Sequence, residues 1–483
     1  MADNLKEKTI NGVVWSAIDR FSSQGIQFIF NILIARVLLP DDYGVVAMLS
    51  IFMAVAQAFI DSGFGNALIR KPDKREEDFD TVFYFNLAVS IFFCVLLWLT
   101  APLIARFYGI PLLTKVTRVI SLTLVINALG AVQLTRLAIA LNFRKKAIIS
   151  IITITVIGIV GLWMALKGFG VWALVTQGIV GSSMKTILLW LTSNWHPRLR
   201  FSKRSFKEMF SFGSKLLATG LIDTVWGNLY NIVIGKCFSP AALGTYNRAE
   251  SFATFPSANI YGLVQSVLYP SLCKIQDDTE RLKNGYRQFV KLTSFVVFPM
   301  MLGLAAVADP FIRVILTDTW KDSIPLLQLL CLSLALYPLS AINITFPNIL
   351  GHSELYLRNV IANKLVDLVV LVITVPLGLK AMCFGKIISS LISILINTIH
   401  TKRLLGYGLP EQLKDLSIII ISSAVMGLAV YTLVNLIPGM NLVRLCAGII
   451  AGVTLYIITA RLFMKEEFNF VYDLIIGKLK KRG

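Results

Sequence analysis

Arg20 and Arg248 carry the most specific chemistry in the chain, because each stands in a long, otherwise apolar stretch. A guanidinium is planar, permanently charged and matched to phosphate oxygens. Asp19 adjoins Arg20, and Glu250 follows Arg248 by two residues. The two readings of each group are contact with an anionic ligand and a structural ion pair. Asp61, Asp223 and Glu250 also lie in apolar surroundings, where a carboxyl group can take up and release a proton. They are the candidates for a coupling ion.

These groups belong to longer patterns. Ser16, Arg20, Gln24, Gln27 and Asn31 recur every three or four residues, as do Lys215, Thr219, Asp223, Gly227 and Asn231. On a helix each set lies along one face. A polar stripe on a membrane-spanning helix cannot face lipid, so it must line a water-filled cavity or bond to neighbouring helices. Trp226 and Tyr230 are the aromatic residues nearest the middle of the apolar stretch that carries the second stripe and could stack on sugar rings. Most other Trp and Tyr residues are read as interfacial anchors.

The elements that hold these residues are membrane spans. The 483 residues are 56% hydrophobic and 15% charged, with a mean hydropathy of +0.73. A soluble domain is about a quarter charged. The composition therefore excludes a soluble enzyme, a disordered chain and a secreted disulfide scaffold. The formal charge of +19 would suit a nucleic-acid binder, but the hydropathy would not. With about 20 residues needed per crossing, about fourteen spans fit. They run over 12–36, 43–68, 81–105, 119–141, 147–166, 171–191, 209–237, 243–272, 287–308, 324–350, 358–377, 381–400, 416–437 and 441–464. The break after the eleventh rests on Pro376-Leu-Gly-Leu-Lys380 alone. The fold class is an all-α integral membrane protein.

Loop charge alternates with this count. About 29 Lys and Arg fall in loops and tails on the side of the termini and about 10 on the other, which leaves seven within spans. By the positive-inside rule both termini are cytoplasmic. No cleavable signal peptide is expected. The six cysteines and three histidines are scattered, with no metal-ligand spacing, so no metal or cofactor is expected. The cysteines read as small buried side chains and the histidines as residues in or near loops. Asp78-Phe-Asp80 has the spacing of some metal-nucleotide sites but reads as a solvated charge run.

An internal repeat is present. Ile34-Ala-Arg36-Val-Leu-Leu-Pro40-Asp-Asp-Tyr-Gly44 matches Ile234-Gly-Lys236-Cys-Phe-Ser-Pro240-Ala-Ala-Leu-Gly244 at an offset of 200 residues, which also aligns Asn31 with Asn231. Six spans separate the copies, so both point the same way across the membrane. Parallel repeats are one plan for secondary transporters. The expected divisions are two pseudo-symmetric six-helix lobes, 1–200 and 201–410, and a C-terminal part, 411–483, with two helices and a basic tail.

The chain resembles the polysaccharide transporter branch of the multidrug/oligosaccharidyl-lipid/polysaccharide exporter superfamily. The likeness rests on Gly12-Val-Val-Trp15-Ser16, the Ile34–Gly44 segment, Asp61-Ser-Gly63-Phe-Gly65, Ala101-Pro-Leu-Ile-Ala-Arg-Phe-Tyr108 and Tyr246-Asn-Arg248-Ala. Exporters of colanic acid, teichuronic acid and lipopolysaccharide O-units are of this kind. The resemblance implies a flippase for undecaprenyl-pyrophosphate-linked oligosaccharide in the bacterial inner membrane, with lobes around a cavity that opens to each side in turn. It implies membrane lipid, a proton or sodium ion, and polymerase and export proteins as further partners. Arg20 and Arg248 would then meet the pyrophosphate. Asp19, Gln24, Gln27, Asn31, Lys215, Asp223, Trp226, Tyr230, Asn231 and Glu250 would complete the cavity. The rival readings are a multidrug or toxin exporter of the same superfamily, a membrane enzyme acting on the same lipid, and a structural partner of polymer assembly that moves nothing. No loop is large enough for a catalytic domain, so an enzyme is not expected.

Overall fold

Long apolar stretches must satisfy their own backbone polar groups in lipid, and the helix does so within one segment. The computed structural model of the chain accordingly contains helices and no strands among the described residues, which are 2–61 and 63–480. Side chains are described except at 1–14, 17, 62, 212, 263, 264, 267, 268 and 474–483. Lys481 and Arg482, counted above in the basic tail, lie outside the described residues.

The chain divides into two units, Met1–Gly244 and Thr245–Gly483. The first holds α1 (Ala2–Ala35), α2 (Pro40–Met48), α3 (Ser50–Asp61), α4 (Phe64–Arg70), α5 (Glu76–Tyr108), α6 (Leu112–Ile139), α7 (Phe143–Leu166), α8 (Val171–Thr192), α9 (Lys203–Gly227) and α10 (Leu229–Cys237). α11 (Pro240–Cys273) starts in the first unit and continues in the second. The second unit adds α12 (Thr279–Ala306), α13 (Ala308–Ile315), α14 (Ser323–Ala335), α15 (Tyr337–Ile349), α16 (Ser353–Thr374), α17 (Leu379–Leu405), α18 (Leu409–Leu436), α19 (Asn441–Phe463) and α20 (Lys465–Lys480).

Eleven helices among the described residues, α3 counted with α4 and α14 with α15, are long and apolar enough to cross a membrane. α1, α9 and α11 have 34, 25 and 34 residues and carry the polar residues singled out above. The sum is consistent with fourteen crossings without fixing that number. The second expected span is broken into α2, α3 and α4. Gly63, at φ 70°, caps α4 in the left-handed conformation that glycine adopts most readily. The seventh is broken at Asn228, between α9 and α10. The break after the eleventh is real: a 3-10 turn, Val375–Leu377, leads into Gly378 at φ 98°.

In the first unit α1 packs along α7, α7 and α6 pack on α8, α5 on α6, and α9 on α3, α4 and α5. Ile34 and Leu38 fix the end of α1 against Ala165 and Ala173. A second core joins Phe64 and Leu68 of α4 to Phe79, Val82 and Phe83 of α5, Val132 of α6, Trp195 of the segment between α8 and α9, and Met209 of α9. In the second unit α12 packs on α14 and α18, α16 and α15 on α17, and α18 on α19. A buried hydrogen-bond network ties four of these helices. Tyr286 donates to Asn343 Oδ1 at 2.9 Å, Thr401 to the same atom at 3.0 Å, and the Asn343 and Gln412 amides exchange two bonds of 2.9 Å. Apolar burial has no aqueous driving force in lipid, so such bonds carry part of the helix association.

Three expectations need correction. Cys237 and Cys446 are exposed rather than buried, while Cys94, Cys331 and Cys383 are buried as expected and Cys273 is intermediate. His400, expected in or near a loop, lies inside α17 and is buried. Asp78 and Asp80 are not solvated: they are 0% and 1% exposed. The segment between α8 and α9 folds back over them. Asp80 Oδ1 accepts the Arg198 backbone N–H at 3.0 Å, and Thr81 accepts that of Ser202 at 3.0 Å. Asp78 takes Lys71 at 2.9 Å and the Arg75 N–H at 2.8 Å.

Candidate functional site

The stripe on α1 is placed by the packing of that helix on α7. Trp15 lies under the Arg144 guanidinium of α7, 5.5 Å from its ring centroid. Asp19 is half-buried and accepts a hydrogen bond from Ser23 at 3.1 Å, one turn on. Arg20, Gln27 and Asn31 are exposed on α1, and Gln24 is half-buried. Asp61 is exposed at the end of α3 and accepts from Gln57 at 2.9 Å.

The second stripe divides at the α9–α10 break. Lys215, Thr219 and Asp223 are exposed on α9, and Trp226 is half-buried. Tyr230 and Asn231 on α10 are half-buried too. Asn231 has a structural bond. Ser50 of α3 donates to Asn228 Oδ1 at 2.8 Å and accepts from Asn231 Nδ2 at 3.4 Å, so one hydroxyl bridges both sides of the break to α3.

In the second unit α11 brings a half-buried charge cluster together. Glu250 Oε1 accepts from Lys386 Nζ of α17 at 2.6 Å and from the Tyr246 hydroxyl at 2.8 Å. Lys386 also donates to the Tyr246 oxygen and lies 5.1 Å from that ring's centroid. Tyr246 is fully buried. Arg248 places its guanidinium 5.6 Å from the centroid of Trp320, itself fully buried. A cation over an indole face is held by the ring quadrupole. The cluster therefore has one carboxylate, one ammonium and one phenol ring within a single unit, and Arg248 with Trp320 is a separate pair, since residues two apart on α11 point to different faces. The cluster can bind an anionic or polyhydroxylated group or pass a proton.

Lys386 and Tyr246 were missing from the candidate residues drawn from the sequence. Lys386 is one of the seven cations within spans, and its place near a predicted helix end, from which a long amine can reach the interface, hides it in the sequence. It lies two turns inside α17, and its partner comes from a helix 136 residues earlier. Tyr246 did stand in the Tyr246-Asn-Arg248 motif, one helical turn before Glu250, and that spacing was the available signal.

Comparison with known proteins completes the description. A model of polysaccharide biosynthesis proteins matches residues 33–325. The chain belongs to that family. It is 27% identical over 334 residues to the lipopolysaccharide biosynthesis protein WzxC of Escherichia coli, covering 68% of this chain and 67% of that one. It is 27% identical to the succinoglycan biosynthesis transport protein ExoT of Rhizobium meliloti, over 69% of this chain and 68% of that one. The teichuronic acid biosynthesis protein TuaB of Bacillus subtilis is 26% identical, over 68% of each chain. In fold, the family member resembles the lipid II flippase MurJ in an inward closed conformation. The TM-score is 0.76 at 16% identity, over 94% of this chain and 99% of that one. An inward-facing multidrug transporter of the MOP superfamily gives a TM-score of 0.60 at 16% identity, over 78% and 95%. The protein is thus a multi-pass helical membrane protein with the fold of these transporters.

Proposed function

We propose that the protein is a flippase that moves a polyprenyl-pyrophosphate-linked oligosaccharide across the bacterial inner membrane for surface polysaccharide synthesis. The observation that carries this reading is the whole-chain likeness of fold to a lipid II flippase. Membership of the polysaccharide biosynthesis family supports it. Both termini are cytoplasmic in this reading, and the protein works by alternating access without catalysing bond cleavage. The headgroup is taken up inside and released outside, while the polyprenyl tail stays in lipid. Arg20 and Arg248 contact the pyrophosphate during passage, and the polar residues of α1, α9 and α10 accompany the sugar. A cation gradient drives the cycle, with Asp61, Asp223 or Glu250 as the coupling group. Polymerase and export proteins act on the released headgroup.

Reconstitution tests the reading directly. Purified protein in proteoliposomes should move a fluorescent lipid-linked oligosaccharide from one leaflet to the other, as read by accessibility to a membrane-impermeant quencher. No movement above protein-free vesicles would overturn it. A second reading, drug export, is favoured by the multidrug transporter fold. It predicts ethidium efflux from the same vesicles instead.

A further inference from the structure

A cavity of about 800 Å³ opens in the first unit where the terminus-side ends of α5, α6 and α8 meet the segment between α8 and α9. It involves none of the candidate residues above. The volume suits a small ligand. We propose that it is a separate binding site for a sugar bearing a phosphate group.

Three features of its lining point to that chemistry. The first is Asp80, 1% exposed. Its Oδ1 holds the Arg198 N–H, but Oδ2 is buried with no hydrogen-bond partner. An unsatisfied buried acceptor is costly, and a ligand hydroxyl is the donor that would relieve it. The second is a pair of cations, Lys145 and Arg198, whose side chains are exposed and make no hydrogen bond or ion pair among the described residues. They are available to phosphate oxygens. Arg136 is not: it is held by both oxygens of Glu76, at 3.0 and 3.1 Å, and lies over Phe79. It builds the wall. The third is the exposed imidazole of His196 beside Asn194, a flat face and an amide suited to a pyranose. A bare anion would leave Asp80 unsatisfied, and a neutral sugar would leave both cations unused. A phosphorylated sugar answers all three features.

On the alternation of spans the cavity opens on the side of the termini. That its ligand is the headgroup of the transported lipid, docked before translocation, rests on the proposed function; the chemistry of the cavity does not.

Isothermal titration of the full chain in detergent, with no lipid-linked substrate present, tests the site. Glucose 1-phosphate, glucose, inorganic phosphate and dihexanoylphosphatidylglycerol serve as separate probes. Glucose 1-phosphate should bind more tightly than the other three. Losing one charge-assisted bond, by Lys145→Ala or Arg198→Ala, should weaken it about tenfold. Asp80→Asn should weaken glucose 1-phosphate and leave inorganic phosphate unchanged. Equal binding of inorganic phosphate or of the phosphatidylglycerol would mean a general anion contact and overturn the site, as would unchanged affinity in the variants. Should Asp80→Asn fail to fold, the exposed Lys145→Ala decides alone. Transport by the wild-type chain is read separately, so loss of this site and loss of the proposed function are distinct outcomes.

Discussion

Gly44 lies so close to Pro240 that a Cβ on the glycine would overlap the proline carbonyl, and Gly244 meets the carbonyl of Pro40 in the same way. The four residues are the matched positions of the internal repeat, so the two copies of Pro-x-x-x-Gly cross each other reciprocally inside the first unit. Neither contact can yield through a side-chain rotation, because backbone stands on both sides. Gly44→Ala and Gly244→Ala should each lower stability by about 1–3 kcal/mol, the usual cost of overpacking. Gly25 in α1 has no heavy atom within 4 Å of the same probe. Gly25→Ala should therefore be neutral or slightly stabilising. Thermal melts of the three variants in one detergent check this; equal melting of Gly44→Ala and Gly25→Ala would remove the crossing as a packing constraint.

Glu250 and Lys386 pair at 2.6 Å between α11 and α17. Removing one member of a fully buried pair typically costs about 3–5 kcal/mol, and this partly exposed pair should cost less, whereas replacing both members by apolar groups is often neutral. Lys386→Met and Glu250→Leu should each reduce the amount of folded protein, and the double variant should recover it. The coupling energy comes from a double-mutant cycle on the melting temperature. Recovered folding without recovered transport would assign the pair to the transport cycle; recovery of both would make it structural.

Asp42 caps the start of α2 by accepting the Leu39 N–H at 3.1 Å. Burial raises its pKa above the ordinary 3.8, against the lowering effect of backbone bonds from Leu39 and Val171. A carboxyl group with a raised folded pKa binds protons more tightly in the folded state. Its contribution is fully present below 3.8 and is lost as pH rises through the raised value. Asp42→Asn keeps an acceptor and removes the titration. The melting temperature of the wild type should fall relative to Asp42→Asn as pH rises from below 3.8 through the raised pKa. Parallel curves would show that Asp42 titrates alike in both states.

The helices were legible because length and apolarity are local properties, and the lipid ruler applies to each run alone. Interruptions were legible only where the backbone chemistry is local too. Pro376 announced its break, but the expected second span ran unbroken across Gly63, and Asn228 sits between apolar turns with no glycine or proline signal before the break beyond Gly227. The stripes on α1 and α9 were visible as periodicity. What periodicity could not supply was the partner. Asp78 and Asp80 sit in a run of five residues with four acids, which reads as solvated until a segment about 120 residues later covers it. Lys386 is hidden for the same reason, since its place near a helix start says nothing of the carboxylate that meets it. Burial of a charge is decided by distant chain, and that link is absent from local pattern.

Arg20 and Arg248 differ in their surroundings, and their variants should differ accordingly. Arg20 is exposed on α1, in the stripe with Gln24 and Asn31. Arg20→Ala should leave protein abundance and melting temperature unchanged and abolish polymer export. Arg248 lies over Trp320, so Arg248→Ala removes packing as well as charge. Arg248→Lys restores a cation without the planar fork that engages two phosphate oxygens together. If Arg248 engages the pyrophosphate, the lysine variant should fold normally and transport slowly, with a loss of about tenfold or more for one charge-assisted bond. Surface polymer measured in cells, alongside membrane abundance, separates the cases. Normal polymer from both alanine variants would remove the pyrophosphate assignment, and full activity in Arg248→Lys would reduce Arg248 to a point charge.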